Sequence, residues 1–188
     1  MQFNLRWLDD PCYSLERDAE VVQILGESPL FDKVRGCTSV VDLCCGTGSI
    51  CQLFPDAEYV GVDYSAPACQ LGRQRYGSPH RTFVEADVEF WKPDRTFDLA
   101  VSITTIGTFR TLEPDWEPKV RALFRLMIKI STVGILLLEG LGSLNWLLHD
   151  PEIEPFAEHH WMIDLLARER EICLCRAFAM KLKGNECQ

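Results

Sequence analysis

The chain has 188 residues, of which 47% are hydrophobic and 25% are charged, and its formal net charge at pH 7 is -9. These values predict one globular domain over residues 1–188 with no membrane span, and the negative charge disfavours nucleic acid as a partner. The first residues lack a secretory signal pattern, so we expect a cytoplasmic protein, whose oligomeric state the sequence leaves open.

Strand-like and helix-like segments alternate along the chain, which predicts an α/β fold with a doubly wound, mostly parallel sheet in three αβα layers. Residues 1–35, with a helix over residues 14–25, are predicted as an N-terminal helical cap. Residues 36–140 form the predicted core. Its strands are predicted at Ser39–Leu43, 59–62, Arg81–Glu85, Phe97–Ile103 and 135–138. Its helices are predicted at 49–54, from Ser65 to about Gly77, and at 114–127.

The last part of the chain, residues 141–188, is predicted to contain helices and an edge strand. Two helical pieces are expected at residues 143–149 and 155–169, broken at Asp150-Pro151. The edge strand is expected at residues 171–182. The nine cysteines are odd in number and contain no Cys-x-x-Cys pair, which predicts neither a disulfide framework nor a zinc site.

A glycine turn after the first predicted strand carries the strongest functional signal. Asp42 ends an apolar run and precedes the turn, and Asp63 ends the second strand. Glycines let the backbone approach a ligand closely, and an acid at the second strand can hold ribose hydroxyls. Asp87 and Ser102 follow or end the next two strands. Since ligands bind beyond the carboxyl ends of parallel strands, we expect these residues to line one crevice.

Asp42 discriminates between two interpretations of the turn. Nicotinamide-dependent dehydrogenases use a similar glycine pattern, but their pyrophosphate would bring negative charge next to this carboxylate. An acid at this position would instead stabilise the ammonium group of S-adenosylmethionine. With these motifs, the chain resembles the class I S-adenosylmethionine-dependent methyltransferases over roughly residues 36–140, with Cys44 at the family's first glycine position.

The resemblance implies S-adenosylmethionine as the cofactor and a Rossmann-like sheet around it. In the family, the residue matching Asp63 binds the ribose, Tyr64 lies beside the adenine, and Asp87 with Val88 recognises the adenine edge. The family's sheet normally ends with a strand pair that reverses direction. Because few residues follow Arg170, two alternatives stay open: a six-stranded sheet that lacks one C-terminal strand, or a shortened chain. The implied cofactor site consists of Asp42, Cys44, Gly46, Thr47, Gly48, Asp63, Tyr64, Asp87, Val88 and Ser102.

The expected reaction is methyl transfer by direct displacement to a small, partly apolar organic molecule, without a metal. The candidate catalytic residues are Glu139, after the fifth strand, and His159 and His160, in the last predicted helical region. Glu139 could equally cap a helix. Aromatic residues predicted to form an acceptor wall are Trp7, Tyr13, Phe109, Trp116, Trp146 and Trp161. Two alternatives stay open: a cofactor-binding regulatory or partner-binding domain without transferase activity, and an enzyme whose bound cofactor assists a non-methylating reaction.

Overall fold

A seven-stranded sheet organises the part of the chain that the computed structural model describes, residues 15–112, 114–140, 157–166 and 174–182. The strands are β1 (Ser39–Leu43), β2 (Glu58–Asp63), β3 (Arg81–Glu85), β4 (Phe97–Ile103), β5 (Ser131–Gly140), β6 (Ala157–Leu166) and β7 (Leu174–Leu182). The helices are α1 (Leu15–Gly26), α2 (Ala66–Tyr76), α3 (Thr105–Leu112) and α4 (Trp116–Ile130), with 3₁₀ helices at Phe31–Lys33 and Ser49–Leu53.

The strand order across the sheet is β3-β2-β1-β4-β5-β7-β6. The first five strands in the chain pair in parallel, whereas β7 pairs antiparallel with both β5 and β6. The order reverses between β1 and β4, because the chain builds outward first on one side of β1 and then on the other. A crevice opens at such a switch point, beyond the carboxyl ends of the strands.

Both faces of the sheet are covered at its central strand β1, as the three-layer prediction requires. Along β1, Val41 and Leu43 belong to one apolar cluster with Phe124 of α4, while Val40 belongs to a second cluster with Leu25 of α1. Successive side chains of a strand point to opposite faces, so this alternation places α4 and α1 on opposite sides of the sheet. The predicted α/β fold with a mostly parallel, doubly wound sheet is confirmed.

Three expectations for the last part of the chain are wrong. The sheet has seven strands, not six, and the segment predicted as a helix over residues 155–169 contains β6. The strand predicted at the edge, β7, lies inside the sheet between β5 and β6. The outer side of β5 carries backbone groups that need partners, and pairing with β7 and then β6 overrides local helix preference. The helix predicted at residues 143–149 lies outside the described residues.

The segment after β4, for which the sequence analysis predicts no element, forms α3. The next helix, α4, begins and ends within three residues of the predicted bounds 114–127. None of the helices in the described ranges combines the length and apolar character needed to cross a membrane.

Candidate functional site

The glycine turn between β1 and the following 3₁₀ helix adopts a left-handed backbone at three positions. The φ angles are 60° at Cys44, 54° at Gly46 and 72° at Gly48. The Cys45 amide donates to the Val62 carbonyl at 3.0 Å, which joins the turn to the end of β2. The turn therefore lies at the carboxyl edge of the sheet, where the order of strands reverses.

Asp63, the last residue of β2, fixes the turn in place. Its Oδ2 accepts a hydrogen bond from the Gly46 amide at 2.8 Å, and its Oδ1 accepts one from the Ser65 amide at 2.8 Å. Burial raises the pKa of this carboxyl, and the two amides act against that shift by lowering it. Each carboxylate oxygen has a second lone pair, so Asp63 can still accept hydrogen bonds from a ligand hydroxyl.

Asp42 is fully buried at the start of the turn, and its two oxygens differ in their partners. Oδ2 accepts a hydrogen bond from the Tyr59 hydroxyl at 2.6 Å, whereas Oδ1 has no hydrogen-bond partner among the described residues. Burial raises the pKa of Asp42 to about 7; the Tyr59 bond opposes this shift and the negative charge of Asp63 adds to it. The buried Oδ1 is suited to a cationic ligand group.

The three predicted carboxylates all affect one thiol of the turn, that of Cys44. Burial raises the pKa of the Cys44 thiol, and the negative charges of Asp63, Asp42 and Asp87 raise it further, while a hydrogen bond with Thr105 lowers it. The pKa of the Cys44 thiol is therefore raised by acids at or near the ends of three different strands. Of the three acids, Asp42 lines the pocket beside the turn and Asp63 bonds to the turn itself.

The residues predicted to contact the adenine, and Ser102 at the end of β4, lie in different environments. Asp87 is exposed, and its Oδ1 accepts a hydrogen bond from the Glu89 amide at 2.9 Å. Val88 is half-buried against the core, and Tyr64 is 44% exposed. Ser102, at the end of β4, is buried and donates from its hydroxyl to Thr105 Oγ1 at 2.7 Å.

A pocket of about 590 Å³, a volume that includes space open to solvent, lies beside the turn. Helix α1 closes one side, where the Thr47 hydroxyl donates to Asp18 Oδ2 at 2.7 Å. Sequence reasoning missed Asp18, because nothing near it in the chain marks it as part of a site. The lining residues are Asp18, Val21, Asp42, Cys44, Cys45, Gly46, Thr47, Ser49, Ile50, Ile103 and Thr104.

Glu139 lies fully buried in β5 and contacts the first turn of α3. Its Oε1 accepts from the Ile106 amide at 2.8 Å and its Oε2 from the Gly107 amide at 3.2 Å. Burial raises the pKa of Glu139 to about 7, while hydrogen bonds from these amides and from that of Thr105 lower it. The carboxylate therefore caps the amino end of α3, whose first amides have no partner within the helix.

The other predicted site residues have different outcomes. His159 and His160 lie in β6 and pair with Lys181 and Met180 of β7, so their predicted place on a surface helix is wrong. Their catalytic role stays a prediction. Phe109, on α3, is half-buried against the core. Trp7, Tyr13 and Trp146 lie outside the described residues.

Cys44 provides a test of backbone strain in the turn. A side chain at a φ of 60° is unfavourable by about 1–2 kcal/mol, which glycine avoids. We therefore expect Cys44→Gly to be more stable than Cys44→Ala by about 1 kcal/mol, the reverse of the usual order for these residues. Urea unfolding of both variants measures the difference. An alanine variant as stable as the glycine variant would contradict strain at this position.

Comparison with known proteins gives a consistent family of relatives. A family model described as a methyltransferase domain matches residues 40–129, from β1 to the last turn of α4. A trans-aconitate 2-methyltransferase of Escherichia coli O1:K1 / APEC is 30% identical over 140 residues, covering 72% of this chain and 49% of the relative. The trans-aconitate 2-methyltransferase of Yersinia pestis (strain Pestoides F) is 41% identical over 64 residues, or 32% of this chain and 24% of the relative. The chain thus spans at most about half the length of these relatives.

Solved methyltransferase structures share the fold. The N-methyltransferase NodS from Bradyrhizobium japonicum WM9, in complex with S-adenosyl-L-homocysteine, superposes with a TM-score of 0.65 at 14% identity, covering 94% of this chain and 90% of that one. The magnesium protoporphyrin IX methyltransferase from Synechocystis PCC 6803, with bound S-adenosylmethionine, gives 0.64 at 17% identity, covering 95% and 90%. At these identities the likeness shows a common fold.

Proposed function

We propose that the chain is a class I S-adenosylmethionine-dependent methyltransferase, which binds S-adenosylmethionine and transfers the methyl group to a small organic molecule. The observation that carries the proposal is the buried Oδ1 of Asp42, which has no partner among the described residues and belongs to a residue lining the pocket. A cationic ammonium group would stabilise this oxygen. A dinucleotide's pyrophosphate would meet like charge there.

Several residues of the site fit the remaining parts of this cofactor. Asp63 has free lone pairs for the ribose hydroxyls, and the backbone of the turn, with glycine at Gly46 and Gly48, leaves room for close approach. Asp87 and Val88 are the proposed contacts to the adenine, with Tyr64 beside it. When bound, S-adenosylmethionine supplies a methyl group on a positively charged sulfur, which is a good leaving group.

The chemical demand on the protein is mainly to hold the two reactants in line. Correct positioning can supply on the order of 7–11 kcal/mol of the barrier, so a general base is not required for every acceptor. Asp42 and Asp63 would anchor the ammonium group and the ribose of the cofactor, while the turn after β4 would face its reactive part. Ile103 and Thr104 of that turn line the pocket.

We propose a neutral, partly apolar acceptor. The ionisable oxygen groups that line the pocket are the carboxyls of Asp18 and Asp42, and within the described residues no lysine or arginine lines it. Val21, Ile50 and Ile103 supply apolar surface. A tricarboxylate such as trans-aconitate would meet like charge, so we expect it to be methylated more slowly than a neutral acceptor. Trp7, Tyr13, Phe109 and Trp146 stay predicted contacts of the acceptor.

Calorimetry followed by a transfer assay tests the proposal. We expect the protein to bind S-adenosylhomocysteine and not NAD, and to move labelled methyl from S-adenosylmethionine to a member of a panel of neutral, amine and carboxylate acceptors that includes trans-aconitate. Tight binding without transfer to any acceptor would instead favour a regulatory domain. If a substrate is converted to a product while the donor keeps its methyl group, the result would favour cofactor-assisted chemistry. Binding of NAD without binding of S-adenosylhomocysteine would overturn the assignment.

Glu139→Gln tests the proposed catalytic role of Glu139 against its contact with α3. The glutamine keeps the size of the side chain but can accept with only one terminal oxygen, so one helix amide loses its partner. We expect the free energy of unfolding to fall by about 1–2 kcal/mol and kcat to fall less than tenfold. A loss of about 10²–10⁴ in kcat at unchanged stability would instead identify Glu139 as a proton acceptor. Urea unfolding and steady-state rates provide both readouts.

A further inference from the structure

Tyr59, which no sequence motif marks, makes the side-chain hydrogen bond to Asp42. It lies in β2, is 1% exposed, and its hydroxyl donates to Asp42 Oδ2 at 2.6 Å. The tyrosine ring is held against Phe83, with ring centroids 5.8 Å apart. A Cβ added at Gly48 would lie 3.2 Å from the Tyr59 hydroxyl, and one at Gly61 would lie 3.1 Å from its ring. The hydroxyl therefore has little freedom to leave Asp42.

The charges around Asp42 make this hydrogen bond important. Asp63 of β2 repels an ionised Asp42. The neighbouring thiols of Cys44 and Cys45 in the turn, and of Cys51 in the 3₁₀ helix, are neutral groups whose pKa values Asp42 raises. Asp18 of α1 lines the same pocket. Among these groups of the described chain, Tyr59 is the side chain whose contact lowers the pKa of Asp42.

We propose that Tyr59 is a positioning residue that occupies Oδ2 of Asp42, favours the ionised form of the carboxyl and leaves Oδ1 for the ammonium group of the cofactor. This inference rests on the proposed function, because it requires a ligand with an ammonium group. The tyrosine acts through Asp42 and makes no contact with the cofactor itself.

A distinctive pH dependence follows. Asp42 in the free protein has a pKa of about 7, so below that pH a proton must leave before the carboxylate can receive a cation. Affinity for a ligand with an ammonium group should therefore rise as the pH increases toward neutrality. Without the tyrosine hydroxyl, the ionised form loses a stabilising hydrogen bond, and the midpoint of this rise should move upward by about one pH unit.

Calorimetry with two ligands over a pH range below about 8, where an α-amino group stays mainly protonated, tests the inference. S-adenosylhomocysteine carries the ammonium group, whereas 5′-methylthioadenosine keeps the adenosine and thioether but lacks the amino-acid part. At each pH from 6 to 7, we expect Tyr59→Phe to bind S-adenosylhomocysteine about five- to tenfold more weakly than the wild type. The midpoint of the rise in affinity should shift upward. Affinity for 5′-methylthioadenosine should change less than twofold.

Tyr76→Phe is the matched control. Tyr76 is a half-buried tyrosine of α2 whose hydroxyl accepts from Gln52 Nε2 at 3.4 Å, and its removal should leave the wild-type pH profile unchanged. Asp42→Asn provides a second variant if Tyr59→Phe does not fold, since it should abolish the rise in affinity with pH. A wild-type profile in Tyr59→Phe or in Asp42→Asn would overturn the role of Tyr59. Wild-type protein that binds neither ligand would instead overturn the proposed function.

Discussion

Replacing Asp63 with asparagine is expected to weaken the binding of S-adenosylhomocysteine by about 10²-fold. The substitution removes the charge that strengthens hydrogen bonds to ribose hydroxyls, and bonds to a charged acceptor contribute about 1.5–3 kcal/mol each. It also disturbs the turn, because Asp63 accepts amide hydrogen bonds on both oxygens, from Gly46 and from Ser65. The asparagine NH₂ would face one of these amides, donor against donor. The lost charge and the disturbed turn both weaken the binding of S-adenosylhomocysteine.

Asp98→Asn separates loss of binding from loss of stability. Asp98, near the start of β4, also accepts backbone amide hydrogen bonds, from Thr38 at 2.7 Å and Ser39 at 3.2 Å, but at the opposite edge of the sheet. Both amides bond to Oδ2 of Asp98, a position that the asparagine oxygen can take, so we expect a smaller decrease in the free energy of unfolding, measured with urea, than for Asp63→Asn. We expect unchanged affinity for S-adenosylhomocysteine in Asp98→Asn. Equal affinities in Asp63→Asn and wild type would remove Asp63 from the cofactor site.

The carboxylates of the site could be predicted from the sequence because their signals are local. Asp42 ends an apolar run directly before a glycine turn, and Asp63 ends the next apolar run. Parallel strands bring their carboxyl ends to one edge, so the sequence order of these acids translates into proximity. The structure adds the backbone contacts of Asp63, which the strand pattern cannot encode.

Tyr59 and Glu139 show where sequence reasoning fails. Tyr59 bonds to Asp42 from 17 residues away, and Glu139 caps α3 from 33 residues away. Helix α3 itself was missed because its sequence contains β-branched residues and a glycine, which favour helix weakly. Its buried amino end is stabilised by a carboxylate on another strand, and such support is visible only after the sheet has formed.

Strand β6 was mispredicted as a helix for a related reason. Residues 155–169 show no strict alternation, yet β6 forms there by pairing with β7, which in turn pairs with β5. The strand character of this segment depends on partners that are distant in sequence or that follow it in the chain. Local propensity is a weak guide in such cases, because cross-strand pairing and burial determine the outcome.

Gly48→Ala is expected to lower the free energy of unfolding by about 2–4 kcal/mol and to abolish detectable binding of S-adenosylhomocysteine. The φ angle of Gly48 is 72°, and a Cβ there would lie 2.2 Å from Cε1 of Phe83, a buried ring of β3. The Phe83 ring is already packed closely against Gly61 and Gly72, since a Cβ added at either position would lie within 3.1 Å of it. The ring therefore has little room to move away from the new methyl group. The turn would have to move instead, and it carries the backbone that approaches the cofactor.

Three further variants, Gly36→Ala, Phe83→Leu and a double variant, test whether the contact with Phe83 causes this effect. Gly36→Ala adds the same methyl group where no atom lies within 4 Å of the new Cβ, so we expect no decrease in stability or binding. The double variant Gly48→Ala with Phe83→Leu should be less destabilised than the sum of the two single variants by at least about 1 kcal/mol, because the smaller side chain relieves the clash. Additive losses would show that strain at the φ of Gly48, rather than the aromatic ring, requires glycine there. Urea unfolding of the wild type, Gly48→Ala, Phe83→Leu and the double variant distinguishes the two causes. Strain at the φ of residue 48 persists in the double variant, whereas the steric contact with the ring does not.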